Sequence, residues 1–177
     1  MIPLRILVDI EEKYKIPIGM LYDYFAGSSI GSLIICALLI PNENRQPKYR
    51  CKQVYDMVKD VCKHVFSNTI YHRITTLYGL LDAIYPSAYL EKYLTEHFGD
   101  IKIKDLVKPI CIPVFDLNSQ KPIYIDTEHH GELLIRDVVM AATSAPSYFR
   151  PKDLEINGIM YKLCDSGLVV NNPAEIA

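Results

Sequence analysis

The stretch Tyr24-Phe25-Ala26-Gly27-Ser28-Ser29-Ile30-Gly31 decides how the fold is predicted. A short apolar run over residues 22–26 precedes Gly27, and residues 30–40 are apolar on all sides until Pro41. A short apolar run that ends at glycine is typical of a buried strand, and proline ends a helix. The sequence therefore predicts a strand, a tight turn and a buried helix, in this order.

A membrane span is the alternative interpretation of residues 18–40. It is disfavoured because small and polar residues interrupt the segment: Asp23, Gly27, Ser28, Ser29, Gly31 and Ser32. A span would place the carboxylate of Asp23 in lipid, which is energetically costly. A buried strand followed by a buried helix explains the same residues without this cost.

The pentapeptide from Gly27 to Gly31 fits the pattern G-x-S-x-G, with Ser29 at its centre. The two glycines permit a strained turn from strand to helix, which holds the serine hydroxyl clear of the backbone. The helix N-terminus and the N–H of Ile30 can then face a developing oxyanion. Ser29 is thus a candidate nucleophile. The alternative is a glycine-rich turn that only allows the helix to pack closely on the sheet.

Hydrophobic periodicity predicts further elements along the chain. Helices are predicted over residues 3–14, 52–66, 88–98 and 133–143, and strands over residues 109–117 and 122–125. Residues 153–163 predict a hairpin that turns at Asn157-Gly158, a dipeptide typical of two-residue turns. Strands that alternate with helices indicate an α/β layered fold with a largely parallel sheet.

Length and composition narrow the class of protein. A chain of 177 residues buries one good core, so a single domain, or part of one, is expected. Half of the residues are hydrophobic, which excludes a mainly disordered chain. Because 19 basic residues face 21 acidic ones, the net charge is only -2, and the chain lacks the basic face that nucleic-acid binding needs.

Cysteine usage and the N-terminus indicate the compartment. The five cysteines form no C-x-x-C pair and have no histidine at zinc-finger spacing, so neither a disulfide framework nor a structural metal is predicted. Asp9, Glu11 and Glu12 leave no room for a secretory signal. A cytoplasmic protein with reduced thiols is expected.

A serine nucleophile needs a base, and histidine is the usual one. All five histidines lie between Ser29 and Asp165: His64, His72, His97, His129 and His130. A triad in the order Ser, His, Asp matches neither the α/β-hydrolases nor the two protease orders, which counts against a histidine base. His64 and His97 are predicted to be ordinary helix residues, and His129-His130 are predicted to lie in a loop. From the residues alone, Asp165 is a turn aspartate after a hairpin.

Three separated segments together resemble the patatin family. The first is the serine turn quoted above. The second is Ala141-Ala142-Thr143-Ser144-Ala145-Pro146-Ser147-Tyr148-Phe149, and the third is Asp165-Ser166-Gly167 followed by Asn171-Asn172-Pro173. The middle of the chain, over residues 89–106 with Phe98-Gly99-Asp100, is also similar to the family. The resemblance covers nearly the whole chain and is specific in combination.

The resemblance implies an α/β, three-layer patatin-like fold with a mostly parallel central sheet. It also implies that Ser29 is the nucleophile and that Asp165 is its general base, with no histidine, metal or cofactor. Gly27, Ile30, Gly31 and Gly167 take the positions of the family's oxyanion and motif residues. Ser166 stands where the family usually has glycine.

The front of the chain departs from the family pattern. Patatin-like proteins place a glycine-rich D-G-G-G-x-R-G loop before a helix that resembles Pro3-Leu4-Arg5-Ile6-Leu7, whereas this sequence starts at Met1. We therefore expect residues 1–177 to be a single incomplete patatin-like domain that lacks the first strand and most oxyanion donors. Removal of one such donor typically lowers the catalytic rate by a factor of about 10² to 10³.

The implied function is a serine acyl hydrolase that cleaves fatty-acyl esters of phospholipids or related lipids through an acyl-serine intermediate. Its partner would be membrane or micellar lipid. The protein itself is expected to be cytoplasmic and peripheral at membranes. One alternative is a catalytically inactive fragment that binds lipid or a partner, and another is an acyltransferase. Tyr71, Tyr78 and Tyr85 are either an interfacial lid or core residues.

Overall fold

The computed structural model describes residues 2–67, 88–146, 148–170 and 172–173. The helices are α1 (Ile2–Tyr14), α2 (Ile18–Leu21), α3 (Ile30–Leu39), α4 (Cys51–Ser67), α5 (Ala88–Phe98), α6 (Thr127–His130) and α7 (Ile135–Ala142). The strands are β1 (Phe25–Ala26), β2 (Ile110–Asp116), β3 (Lys121–Asp126), β4 (Lys152–Ile156) and β5 (Ile159–Asp165). Short 3₁₀ turns cover Ile103–Asp105 and Ser166–Leu168. The predicted α/β class is confirmed.

The sheet is organised around β2. One edge of β2 pairs antiparallel with β3, from Cys111 to Asp116. The other edge is shared: β1 runs parallel to the start of β2, and β5 runs antiparallel to its end, from Asp116 back to Val114. β1 and β5 therefore approach each other head-on along the same edge of β2. The residues that follow the two strands meet beside the middle of β2, and this is where the candidate site lies.

Strand direction differs from the prediction of a largely parallel sheet. Among the described strands, only β1 and β2 pair in parallel, whereas β2 with β3, β2 with β5 and β4 with β5 are antiparallel. Two of these pairs, β2 with β3 and β4 with β5, are antiparallel because a short turn reverses the chain between the strands. One turn joins β2 to β3, and the other is the predicted Asn157-Gly158 turn, at which Asn157 has φ 52° and Gly158 has φ 79°.

The core has α3, β2 and α7 among its most buried elements, and α1, α4 and α5 also contribute buried side chains. The residues of α3 from Ser32 to Leu39 are all buried, as its continuous apolar run predicts. β2 is buried along nearly its whole length, which is typical of a central strand covered on both faces. None of the helices in the described part of the chain is long and apolar enough to cross a membrane.

Helix boundaries agree with the periodicity to within about two residues, but two predictions need correction. The strand predicted over residues 22–26 contains only Phe25 and Ala26. His129 and His130, predicted to lie in a loop, belong to the helical turn α6. Asp126 begins this turn as its N-cap, because its carboxylate accepts a hydrogen bond from the N–H of His129 at 2.7 Å. Tyr71, Tyr78, Tyr85 and His72 lie outside the described residues.

A buried carboxylate connects the N-terminal helices to α4. Glu11 is only 7% exposed, although its charge would predict a surface position. It accepts hydrogen bonds from the N–H of Ile18 at 3.0 Å and of Cys51 at 2.7 Å, and Arg50 lies 3.9 Å away. Because Ile18 begins α2 and Cys51 begins α4, one side chain satisfies donors at two helix N-termini.

A second buried carboxylate, Asp116, holds the end of β2. It accepts from the N–H groups of Asn118 at 3.3 Å, Ser119 at 2.9 Å and Lys162 at 3.2 Å. Burial on its own would raise the pKa of Asp116, but the donors of Ser119, Asn118 and Lys162 outweigh it and hold this pKa below its ordinary value. The side chain thus ties the β2–β3 turn to β5 in its ionised form.

This arrangement predicts a pH-dependent contribution to stability. A carboxyl group whose pKa is lowered by folding stabilises the protein above the pKa of the unfolded chain, near 3.8, and loses this effect as the pH falls through the folded value. Asp116→Asn should therefore lower the free energy of unfolding by about 1 to 3 kcal/mol at pH 7, and by clearly less at pH 3. Urea denaturation at both pH values measures this. An equal difference at the two pH values would contradict it.

Candidate active site

Ser29 lies at the turn between β1 and α3 in a strained backbone conformation. Its φ of 53° and ψ of -128° are unusual for a residue with a side chain. Conformations of this kind cost about 1 to 3 kcal/mol and are found at functional sites. The turn is held by the N–H of Gly31, which donates to Ser28 O at 2.8 Å, and by the hydroxyl of Ser32, which donates to Ser29 O at 2.7 Å.

The two glycines of the motif have different environments. A Cβ atom at Gly27 would lie 2.5 Å from the carbonyl oxygen of Gly31, so only glycine fits where the turn folds back on itself. A Cβ atom at Gly31 would meet nothing within 4 Å. The close approach that the pattern predicts is therefore required at Gly27. At Gly31 the contacts of a Cβ atom do not explain the glycine.

Asp165 is the last residue of β5 and is only 7% exposed. Its Oδ2 accepts a hydrogen bond from the hydroxyl of Ser29, and its Oδ1 accepts one from the N–H of Gly167 at 2.8 Å. Both carboxylate oxygens thus have donors, and one of the two donors is the candidate nucleophile. The structure brings together Ser29 and Asp165, which are 136 positions apart in the sequence.

Three hydrogen bonds fix the backbone around this pair. The N–H of Asp165 donates to Ser144 O at 3.0 Å, which ties the end of β5 to the segment after α7. The hydroxyl of Ser166 donates to Pro113 O at 2.9 Å, in the middle of β2. The hydroxyl of Ser28 donates to Val170 O at 3.2 Å. A serine at position 166, where the related pattern has glycine, therefore adds a buried bond to the central strand.

The N-terminus of α3 offers a donor for a developing negative charge. The N–H groups of Gly31 and Gly167 are occupied, by Ser28 O and by Asp165 respectively. The N–H of Ile30, at the first position of α3, makes no hydrogen bond within the described residues. The N–H of Ile30 is thus free to donate to a negative charge at this helix end, which the dipole of α3 also favours. The N–H of Gly31 instead holds the turn, and that of Gly167 holds the Asp165 carboxylate.

The histidines lie elsewhere in the described part of the chain. His64 stacks on Tyr89 with ring centroids 4.9 Å apart, and His97 stacks on Tyr93 at 4.0 Å. His129 and His130 lie beside Asp126, outside the Ser29 and Asp165 pair. Within the described residues, neither Ser29 nor Asp165 is hydrogen-bonded to a histidine. Nor do those residues include a cluster of His, Cys, Asp or Glu that could hold a metal ion.

A pocket of about 260 Å³ opens beside the Ser29 hydroxyl. Its walls are almost entirely apolar and come from four separate parts of the chain. The lining residues are Ser29, Ile30, Val61, Cys62, Val65, Leu90, Thr143, Ala145, Tyr148 and Phe149. A serine that is hydrogen-bonded to a carboxylate at the edge of an apolar pocket is suited to attacking an ester that carries an apolar acyl group.

Comparison with known proteins decides the family. The family model described as patatin-like phospholipase matches residues 14–177. The chain belongs to the patatin-like phospholipase family. The predicted patatin-like fold is thereby confirmed, and membership supports a lipid acyl hydrolase function in general terms.

Several curated proteins are similar to this patatin-like chain. Patatin-like protein 2 of Arabidopsis thaliana is 26% identical over 169 residues, which cover 88% of this chain and 42% of the plant protein. Patatin-like protein 2 of Oryza sativa subsp. indica is 29% identical over 191 residues, which cover 97% of this chain and 47% of the rice protein. The cGAMP-activated phospholipase of Escherichia coli (strain TW11681) is 29% identical over 182 residues, which cover 97% of this chain and 48% of the bacterial protein. The chain spans less than half the length of each of these relatives.

Sequence reasoning missed the residues that support the patatin-like site and form its pocket. Val61 and Val65 lie on the apolar stripe of α4, which predicts core burial and contains no sign of a pocket. The carbonyl of Ser144 holds Asp165 through the backbone, so its side chain carries no signal for this contact. Only the resemblance of the segment around Ser144 pointed to this part of the site.

Proposed function

We propose that this chain is a serine acyl hydrolase that cleaves fatty-acyl esters of phospholipids or related lipids through a dyad of Ser29 and Asp165. The observation that carries the proposal is the hydrogen bond from the Ser29 hydroxyl to Asp165, at a strained turn beside an apolar pocket. Family membership supports the lipid substrate class. We further infer that the substrate is met at the surface of a membrane or micelle, because long acyl esters gather there.

In the first half-reaction, the Ser29 hydroxyl attacks the carbonyl carbon of the ester while Asp165 accepts its proton. The N–H of Ile30 donates to the oxyanion of the tetrahedral intermediate. When the intermediate collapses, Asp165 returns the proton to the departing alcohol, and the acyl group stays on Ser29. In the second half-reaction, Asp165 accepts a proton from water, and the resulting hydroxide attacks the carbonyl carbon of the acyl-serine. When the bond from this carbon to the Ser29 oxygen breaks, Asp165 returns the proton to that oxygen and the fatty acid leaves.

The surroundings of Asp165 suit this role. The side chain is nearly inaccessible to water, so its interaction with the serine proton is little screened. The bond from the Gly167 N–H holds Oδ1 and thereby fixes the orientation of the carboxylate. Oδ2 is left to exchange a proton with Ser29 or with an attacking water. A histidine is not needed in this geometry.

A second function, binding of lipid or a protein partner without catalysis, is favoured by one observation. Of the four motif residues Gly27, Ile30, Gly31 and Gly167, only Ile30 has an N–H that makes no hydrogen bond within the described part of the chain. Oxyanion sites commonly use two or more donors, and the loss of one typically costs about 10² to 10³ in rate. A chain with a single donor would keep its pocket and lose most of its activity.

An activity-based probe separates the two functions. We expect a fluorophosphonate to label the full chain once, at Ser29. We also expect the unlabelled chain to release fatty acid from phosphatidylcholine vesicles. Peptide mass spectrometry locates the label, and titration of released fatty acid measures turnover. A chain that binds vesicles yet takes no label would support the binding function. Transfer of the acyl group to an acyl carrier, in place of water, would indicate an acyltransferase.

A further inference from the structure

Each residue of the Ser29 and Asp165 pair has another serine beside it in the chain. Ser28 precedes the first of them, and Ser166 follows the second. We propose that Ser28 and Ser166 are positioning residues, whose hydrogen bonds join the two turns and thereby hold the nucleophile and its base in place. The inference rests on the proposed function for its catalytic consequence. The linkage itself is tested below without catalysis.

Ser166 lies where β5 leaves the sheet. In the antiparallel register Val114 of β2 faces Asp165, so the position after β5 comes opposite Pro113. On this edge of β2, the pairing with β1 ends at Cys111 and the pairing with β5 begins at Val114, so the carbonyl of Pro113 lies between the two. A buried carbonyl needs a donor. The fully buried hydroxyl of Ser166 donates to it at 2.9 Å and anchors the chain after Asp165 to the central strand.

Two further hydrogen bonds extend this anchor to the Ser29 turn. The N–H of Val170 donates to Ser166 O at 2.7 Å, and the hydroxyl of Ser28 donates to Val170 O at 3.2 Å. The Oγ atoms of Ser28 and Ser166 are also 3.5 Å apart. Ser28 and Val170 are 142 positions apart in the sequence, so these bonds join segments that the backbone does not. We call Ser28, Val170, Ser166 and Pro113 the serine linkage.

The serine linkage matters because the bond between Ser29 and Asp165 is temporary. Among the described strands, β1 and β5 are not paired with each other, so the two turns have no ladder in common. Once the acyl group is on Ser29, its oxygen has no proton to donate, and the bond to Asp165 is lost. The serine linkage uses neither side chain and persists through the whole reaction. Because a displacement of about 1 Å can lower a rate by about 10², we expect the linkage to act on kcat.

The first test detects the linkage through amide hydrogen exchange, measured by NMR on the full chain. Ser166→Ala removes the anchor on the Asp165 side. It should speed exchange at the N–H of Gly31, which belongs to the Ser29 turn and donates to Ser28 O at 2.8 Å. The expected gain is about fivefold or more relative to the amides of the buried helix α7, which report overall stability. An effect confined to the chain after β5 would overturn the proposal.

The reciprocal variant Ser28→Ala starts from the other end of the linkage. This side chain is only partly buried, so the substitution is mild. It should speed exchange at the N–H of Gly167, which donates to Asp165 Oδ1 at 2.8 Å, by a similar factor. This variant keeps the proposal testable if Ser166→Ala does not fold.

The matched control is Thr127→Val. It removes a hydroxyl that accepts a hydrogen bond from the N–H of Ile110 at 2.9 Å, at the start of β2 and outside the serine linkage. Valine keeps the shape of the side chain. Overall stability should fall much as in Ser166→Ala. Exchange at Gly31 and Gly167, relative to α7, should stay within about twofold of wild type.

The second test separates positioning from stability by kinetics, at a temperature where all variants are folded. Neither Ser28 nor Ser166 is among the described residues that line the pocket beside Ser29, so binding of a short ester should not depend on them. With p-nitrophenyl butyrate, Ser166→Ala should lower kcat by about tenfold or more and leave KM within about twofold of wild type. Ser166→Gly introduces the residue that the family usually has here, and it should lose as much because glycine has no hydroxyl. Thr127→Val should keep both constants within about twofold of wild type.

A double variant tests whether the two serines act as one unit. Ser28→Ala and Ser166→Ala interrupt the same chain of hydrogen bonds, so their effects on kcat should not multiply. The double variant should lose no more than about threefold beyond the less active single variant. A loss equal to the product of the two single losses would overturn the shared linkage.

The outcomes separate this inference from the proposed function. Faster exchange in the turn opposite the substitution, in a chain whose wild type hydrolyses no ester, would support the linkage and contradict the hydrolase. Hydrolysis by the wild type, with exchange changed only in the substituted turn, would support the hydrolase and overturn the linkage. Unchanged kcat in Ser166→Ala and Ser166→Gly would overturn the positioning role, and so would an equal fall of kcat in Thr127→Val.

Discussion

Replacement of Ser29 by alanine is expected to lower ester hydrolysis by a factor of about 10⁴ or more. The hydroxyl that forms the acyl intermediate is removed, whereas the turn, Gly27 and the N–H of Ile30 remain in place. Because alanine keeps the strained backbone conformation of position 29, stability should change little. The measurements are kcat/KM on a short ester and the thermal midpoint of unfolding.

Replacement of the same residue by glycine separates strain from chemistry. Glycine adopts a positive φ without steric cost, so Ser29→Gly should raise the free energy of unfolding by about 1 to 2 kcal/mol relative to Ser29→Ala. Both variants should be equally inactive. An alanine variant as stable as the glycine variant would show that the turn is not strained, and an alanine variant with more than a hundredth of wild-type activity would exclude Ser29 as nucleophile.

Asp165→Asn is expected to lower kcat/KM by about 10⁴ with little loss of structure. Asparagine has nearly the same volume, and its carbonyl oxygen can still accept the hydrogen bond from the Gly167 N–H. What it lacks is the ability to take a proton from Ser29. A catalytic rate near wild type in this variant would mean that another group is the base.

Asp116→Asn is the matched control for this substitution. Asp116 is also a buried carboxylate in the sheet, paired with Leu163 in β5 only two residues before Asp165. Its loss should affect stability and leave ester hydrolysis within a few-fold of wild type at a temperature where both proteins are folded. A similar loss of activity in the two variants would indicate that the effect at Asp165 comes from the fold and not from proton transfer.

The sequence predicted most local elements of this fold because their signals are local. The apolar run of α3 and the Asn157-Gly158 turn each depend on a few consecutive residues, and both were placed correctly. Strand direction was predicted less well, since the direction in which β5 pairs with β2 depends on how the chain returns over about 50 residues. The pairing of β5 with the end of β2 has no signal in either strand.

The site shows the same division. The G-x-S-x-G pattern predicted a strained turn at Ser29, and the observed φ agrees. The contact with Asp165 came from family resemblance and not from the residues, because a carboxylate after a hairpin has many ordinary explanations. The pocket could not be predicted, since it forms only where α4, α5 and the segment after α7 meet. Ser166 looked like a departure from the pattern, and only the structure shows its bond to Pro113.

The buried carboxylate of Glu11 bears on where this domain can be divided. The family match begins at residue 14, so α1 lies almost entirely outside it. Yet Glu11 satisfies the N–H at the start of α4, the helix that also carries Val61 and Val65. An expression fragment trimmed to the matched region would lack Glu11. The N–H of Cys51, which lies 40 positions further along the chain, would then be buried without its acceptor. The cooperative unit is therefore larger than the segment that the family model matches, and a fragment made for expression should keep α1.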